Sequence, residues 1–175
     1  MADHELIDIY DQNGQPTGET IQREGAFLKE GQYMRYVLAL IADQTGRYLI
    51  TQRALDKHWA PGAWEVPGGG VVAGETSAQA VVREVREEVG LDVSHEDLTP
   101  LWSYTNEDLP RGDNYLVDIY RFDLDFSIED VHLQRSEAID VRLATWDEME
   151  ALADGNQFLH FARLSQALEE TQDED

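Results

Sequence analysis

Three glutamates, Glu84, Glu87 and Glu88, fall within five residues in the stretch "REVREEVGL" from Arg83 to Leu91. At about 100° per residue on a helical wheel, spacings of three and four return to the same side. The three carboxylates therefore share one arc, and Ala78, Val81, Val82, Val85 and Val89 share the neighbouring one. The apolar arc must dock on something, which leaves the carboxylates standing beside that seam. Like charges four residues apart destabilise a bare helix by a few tenths of a kcal/mol, and a bound cation reverses that sign. Carboxylate oxygens are the hard ligands that Mg²⁺ takes, often together with substrate phosphates. The competing reading is a solvated helix face in an acidic protein.

The spacing around the glutamates decides between the two. Gly69 is followed after five residues by Glu75, and Glu75 after seven by Arg83-Glu84-Val85-Arg86-Glu87-Glu88-Val89-Gly90-Leu91. This resembles the Nudix box, Gly-x5-Glu-x7-Arg-Glu-U-x-Glu-Glu-x-Gly-U with U aliphatic, at every defined position, and "WEVPGGGV" resembles its usual lead-in. The resemblance implies an α/β (α+β) Nudix fold, a mixed β-sheet sandwiched between α-helices, and a loop-helix-loop that binds Mg²⁺ or Mn²⁺. It implies a hydrolase acting on a diphosphate linkage by water attack at phosphorus. Carried over by position, Glu84, Glu87 and Glu88 are metal ligands and Gly69 a further metal contact. Arg83 orients the carboxylates through Glu75, and Gly69 and Gly70 let the loop backbone approach the substrate closely. The chemistry agrees, because divalent ions neutralise diphosphate charge and acidify water at neutral pH.

Outside the box, "LQRSEAIDVRLATW" resembles the segment that supplies many Nudix enzymes with a further glutamate, which points to Glu137; Glu107 in "YTNEDLP" is its rival. Arg53 and Lys57 lie just upstream of the box and are candidate phosphate contacts. Arg23 and Arg35 are further basic candidates. Trp59, Trp64, Trp102, Tyr104 and Tyr33 are the aromatics available to stack a base. The N-terminal "LIDIYDQNGQPTG", Arg23 and "GQYMRYVLALI" resemble the Nudix branch related to isopentenyl diphosphate isomerase. That isomerase uses a cysteine, and this chain has none. A nucleotide-type diphosphate hydrolase is therefore the expectation, with a prenyl diphosphate isomerase or a non-catalytic nucleotide-binding module as alternatives.

These residues need a scaffold. "ELIDIYDQNGQPTGETI" predicts two strands about a turn at Asn13–Gly18, and "YMRYVLALIAD" with "RYLITQRA" predicts a hairpin closed by "DQTG". "LDKHWAPGAWEVPGGG" reads as a loop. A helix is expected over Thr76–Val89, capped by Thr76 or Ser77 with Gln79 completing a capping box, and stopped by Gly90. "LTPLWSYTN", "NYLVDIYRFDL" and "AIDVRLATW" predict strands. One last helix is expected over Trp146–Glu169, with Met149, Leu152, Phe158, Leu159, Phe161 and Leu164 as core.

The 175 residues suit a single domain over residues 1–170, including N-terminal strands at about 5–25, followed by a disordered acidic tail at 171–175. With 36 Asp and Glu against 13 Lys and Arg, the formal charge of −23 repels nucleic acid and anionic membranes. The absence of cysteine removes disulfides, thiolate metal sites and a cysteine nucleophile. No apolar run approaches the roughly 18 residues of a span, and the N-terminus lacks a signal-peptide pattern. The expected setting is cytoplasmic, with a small-molecule diphosphate as partner and a homodimer as a possible assembly.

Overall fold

The computed structural model describes residues 5–172. Its centre is β3 (Met34–Ala42), whose sequence "MRYVLALIA" is apolar at nearly every position. A strand alternates its side chains between two faces, so such a run has to be covered on both. Val37, Ala39 and Ile41 face one core with Val81, Val85 and Val89 of α1 (Ser77–Val89). Leu38, Leu40 and Ala42 face the other, with Met149 of α2 (Trp146–Asp154) and Leu164 and Ala167 of α3 (Phe161–Gln172). A mixed sheet between helices follows from that one strand.

β3 pairs in parallel with β8 (Tyr115–Asp123), and β7 (Trp102–Asn106) adds antiparallel to β8. Its other edge departs from the expected hairpin. β4 (Tyr48–Arg53) meets β3 only at Ala42–Tyr48. Beyond the turn, β3's edge is taken by β6 (Gly68–Gly70), a strand within the segment read as loop. A Cβ at Gly68 would lie 2.3 Å from the Val37 carbonyl oxygen, so only glycine fits there. β4 pairs instead with β5 (Trp64–Glu65) and β9 (Ala138–Ala144).

The last helix is also revised. The chain leaves α2 at Gly155 and turns through Asn156, at φ 57°, and His160, at φ 64°. Between them it docks on β5: the Trp64 amide donates to the Gln157 carbonyl at 2.8 Å, and the Leu159 amide to the Trp64 carbonyl at 2.9 Å. Pairing with β5 replaces helical bonds there, so Phe158 is buried from a bridge and not from a helix. Thr171 and Gln172, expected in the tail, continue α3; residues 173–175 lie outside the described residues. No helix among the described residues is long and apolar enough to cross a membrane.

The N-terminal hairpin, β1 (Leu6–Tyr10) with β2 (Pro16–Gln22), is held to this body by buried charge. Asp118 on β8 is almost fully enclosed, and its carboxylate accepts from Arg35 Nη1 at 2.6 Å, Ser77 Oγ at 2.5 Å and Ser103 Oγ at 2.6 Å. Arg35 continues to the Gly14 carbonyl at 3.1 Å and lies over the Tyr10 ring. One carboxylate thus ties the hairpin, β3, β7, β8 and the start of α1. Breaking a buried pair by removing one partner costs about 3–5 kcal/mol. Asp118→Ala is therefore expected to lower unfolding stability in urea by about 3 kcal/mol or more, and a loss within experimental error would show that the network carries no such role.

Candidate functional site

α1 begins where Thr76 and Gln79 cap each other reciprocally, and it ends at Gly90 in a left-handed turn, φ 73°. Its buried stripe is Ala80, Val81, Val85 and Val89, with Val82 at the margin. Fixing that stripe on the sheet aims Glu84 and Glu88 at β6 and leaves Glu87 outward, its side chain about half exposed at 49%. A Cβ at Gly69 would lie 2.5 Å from Glu84 Cδ, so the Glu84 carboxylate occupies the space a side chain would need. Glu88 accepts from the Gly68 amide at 3.4 Å.

Arg83 organises these groups. Its Nε and Nη2 donate to the two Glu75 oxygens at 2.7 and 2.9 Å, and Nη2 also donates to the Gly70 carbonyl at 3.1 Å. Nη1 donates to Glu84 at 3.0 Å and to Glu87 at 3.3 Å. The hydrogen bonds it donates to Glu75 hold the guanidinium still more firmly in its charged form. Glu75 is itself positioned by the Val72 amide, 3.2 Å away.

Among the described residues, Glu88 has no cationic partner. Burial first, then the charges of Glu84 and Glu65, raise its pKa well above the usual carboxylate value, and burial raises Glu84 as well. Two inward carboxylates without enough positive charge form a site that favours a proton or a cation. Hard oxygen donors beside a glycine cradle fit a divalent ion of the Mg²⁺ or Mn²⁺ kind. Among the described residues no three Asp, Glu or His side chains converge into a ready coordination cluster.

The other sequence candidates fall on two sides of this cluster. On the Glu88 side lies Glu65 of β5, a residue the sequence reading passed over; burial raises its pKa, opposed by Arg53. Arg53 Nη1 donates to Glu65 at 3.2 Å, and its guanidinium lies over Trp59. Lys57 pairs with Glu137. The segment bearing Glu137 is brought in by the Gln134 amide on the Glu88 carbonyl, 3.1 Å, and the Ala54 amide on the Glu137 carbonyl, 3.1 Å. Glu107 is elsewhere, accepting from Tyr33, with no hydrogen bond or ion pair to α1 among the described residues. On the Glu84 side lies Arg23, 3.3 Å from where a Gly70 Cβ would sit, over the Tyr36 ring and paired with Glu5 at 3.5 Å; against the cost of burial, Tyr36, then Glu5, then Glu84 favour its charge. Arg35 belongs to the Asp118 network. Glu65 carried one signal in the sequence, its place in "WEVPGGG" beside the glycine strand; that it faces Glu88 depends on β5 docking.

The model of the NUDIX domain matches residues 32–164. An uncharacterised Nudix hydrolase of Listeria monocytogenes is 32% identical over 160 residues, covering 91% of this chain and 90% of that protein. The nucleoside triphosphatase NudI of Escherichia coli is 34% identical over 73 residues, 42% of this chain and 51% of its own. The crystal structure of DR0079 from Deinococcus radiodurans superposes with a TM-score of 0.68 at 24% identity, covering 86% of this chain and 90% of that one.

A carboxylate whose folded-state pKa is raised contributes stability below its unfolded value, near 4.5, and loses it as pH rises through the folded value. Glu88→Gln removes that loss. In chelator at pH 8 the variant is expected to melt higher than the parent, with the gap closing toward pH 4.5. For this size about 2–4 °C is expected per kcal/mol. Millimolar Mg²⁺ should raise the parent more than the variant. Melting curves that coincide at every pH and metal level would contradict this picture of the cluster.

Proposed function

This chain belongs to the Nudix hydrolase family, and on that premise we propose that it hydrolyses the diphosphate linkage of a nucleotide or nucleoside diphosphate derivative, by water attack at phosphorus. The observation that carries the reading is the arrangement of Glu84 and Glu88 against the glycine strand, with Arg83 fixing Glu84 to Glu75. The nucleotide part is supported by the likeness to NudI, named as a nucleoside triphosphatase.

Glu84 and Glu88 would hold Mg²⁺ or Mn²⁺, with Glu87 and the Gly69 backbone as the outer contacts. The bound ion would supply charge neutralisation at the diphosphate and a lower pKa for water. The chain's own residues do the rest. Arg83 keeps Glu84 from turning outward, and Glu75 keeps Arg83 in place. Arg53 and Lys57 reach the diphosphate by leaving Glu65 and Glu137, since phosphate oxygens offer both cations a more highly charged partner. Glu137, once free of Lys57, is positioned to take a proton or join the metal ligands; its nearness to the Glu88 segment favours it over Glu107. Gly69 and Gly70 leave room for the phosphates against the backbone.

The N-terminal likeness to the isomerase-related branch is part of this proposal. Without a cysteine, the chain lacks the group that the isomerase reaction uses. The hairpin's ties to Asp118 support taking residues 1–170 as one Nudix domain.

Glu88→Gln is expected to lower kcat at least 100-fold with the fold intact by circular dichroism. Glu137→Gln should cost more than Glu107→Gln. Steady-state kinetics over nucleoside di- and triphosphates, nucleoside diphosphate sugars and dinucleoside polyphosphates measures both. An active Glu88→Gln enzyme, or a larger loss at Glu107 than at Glu137, would reject these roles.

A further inference from the structure

The turn between β6 and α1 carries Glu75, and through Glu75 the Arg83 cluster. Its tip is Ala73–Gly74, with Gly74 left-handed at φ 82°. Packing does not hold that tip: beyond its chain neighbours, a Cβ at Gly74 would meet no atom within 4 Å. On one side of the tip the Val71 amide donates to the Arg35 carbonyl of β3 at 2.9 Å. On the other the Glu75 amide closes the turn on the Val72 carbonyl at 3.1 Å. The two amides of the tip reach outside the turn. Ala73 donates to the Leu6 carbonyl at 2.8 Å, and Gly74 to the Asp8 carboxylate at 2.9 Å. Both acceptors belong to β1, in a hairpin that precedes residues 32–164, the part matched by the NUDIX model.

The same hairpin grips the start of the turn. Arg23 follows β2 directly and fills the space over Gly70. Its amide donates to the Glu5 carbonyl at 2.9 Å, and its guanidinium to the Glu5 carboxylate at 3.5 Å and the Tyr36 hydroxyl at 3.4 Å. Gly70 therefore has Arg23 against its Cα and Arg83 on its carbonyl. The hairpin takes its own position from other contacts. Ile7 and Ile9 lie in a core with Leu28 and Met34, and Tyr10 and Tyr33 exchange backbone bonds at 2.7 and 2.9 Å. It is thus anchored independently of the turn it holds.

We propose that the N-terminal hairpin is a positioning element of the metal site and that Asp8 is its positioning residue. Asp8 holds the Ala73–Gly74 tip, the tip fixes Glu75, and Glu75 fixes Arg83 and with it the Glu84 carboxylate. The proposal rests on the assignment of Glu84 and Glu88 to a divalent ion. Groups bonded behind a metal ligand orient it and tune its affinity. Strand alternation sends Ile7 and Ile9 into the core and leaves Asp8 facing the turn. There an ionised acceptor binds an amide more strongly than a neutral one does. With the tip released, Glu75 moves with the turn. Arg83 then gives more of its charge to Glu84 and Glu87, where it competes with the ion.

Asp8→Ala, Asp8→Asn and Asp11→Ala separate this role from the stability of the hairpin. The carboxamide oxygen in Asp8→Asn still accepts from Gly74. Asp11 caps the hairpin's own turn, accepting from the Asn13 and Gln15 amides at 2.8 and 3.0 Å, and makes no bond to the Gly74 turn among the described residues. The readout is the Kd for Mn²⁺ alone, titrated without substrate and followed by the free-ion electron paramagnetic resonance signal. Losing a group that supports a metal ligand costs about 10–100-fold in metal affinity. Asp8 acts through further residues, so Asp8→Ala is expected at the low end, a Kd raised about ten-fold. Asp8→Asn should stay near the parent. Asp11→Ala should lower the melting temperature and leave the Kd in place. An unchanged Kd in Asp8→Ala, or an equal rise in Asp11→Ala, would reduce the hairpin to a stabilising element and overturn the role. A parent that binds no Mn²⁺ overturns it too. Diphosphate hydrolysis is followed separately: a parent that turns over no nucleotide but shows the Asp8 shift loses the hydrolase reading and keeps the positioning role.

Discussion

Glu84 and Glu88 point the same way, one helical turn apart, into a space bounded by backbone. Water cannot screen them there as it does Glu87; burial raises the proton affinity of both, and the charge of Glu84 raises that of Glu88 further. Much of the surrounding structure answers that repulsion. Arg83 places its guanidinium between Glu75, Glu84 and Glu87 and also bonds the Gly70 carbonyl. The helix cannot relieve the strain by rolling, because Val81, Val85 and Val89 are locked into the core beneath it. The strand cannot withdraw, because β6 is paired along β3. Packing thus holds two buried carboxylates against the glycine strand, where a cation would relieve their repulsion.

The chain's scarce cations are distributed accordingly. Of 13 Lys and Arg, Arg83 sits within the cluster, Arg53 and Lys57 on its Glu88 side, and Arg23 on its Glu84 side. Elsewhere the protein is strongly negative, a field that disfavours polyanions at large. All four cations are paired with carboxylates: Arg83 with Glu75, Glu84 and Glu87, Arg53 with Glu65, Lys57 with Glu137, and Arg23 with Glu5. Arg23 contributes from the hairpin, which is why the Asp118 network matters for the site although it lies outside it.

The box and its helix were legible because helical geometry is local. A repeat of three and four fixes which residues share a face, and Thr76, Gln79 and Gly90 mark its ends by short-range hydrogen bonds. The continuous apolar run that buries β3 was equally local. The errors arose where a distant partner replaced a local one. The β3–β4 hairpin opens because a glycine strand 30 residues further along in the chain, Gly68 against Leu38, takes the edge. The continuous last helix breaks because residues 157–159 bond to Trp64.

The sequence by itself determined the carboxylate helix, its caps, its apolar stripe and the family to which it belongs, all set within one continuous stretch from Gly69 to Leu91. Tertiary structure decided which carboxylates face inward, that Glu65 stands against Glu88, that Lys57 finds Glu137 while Glu107 turns to Tyr33, and that Arg23 and Tyr36 border the glycine strand. Those contacts join elements far apart along the chain. They exist only once sheet register and loop docking are fixed, and a linear pattern carries no measure of either.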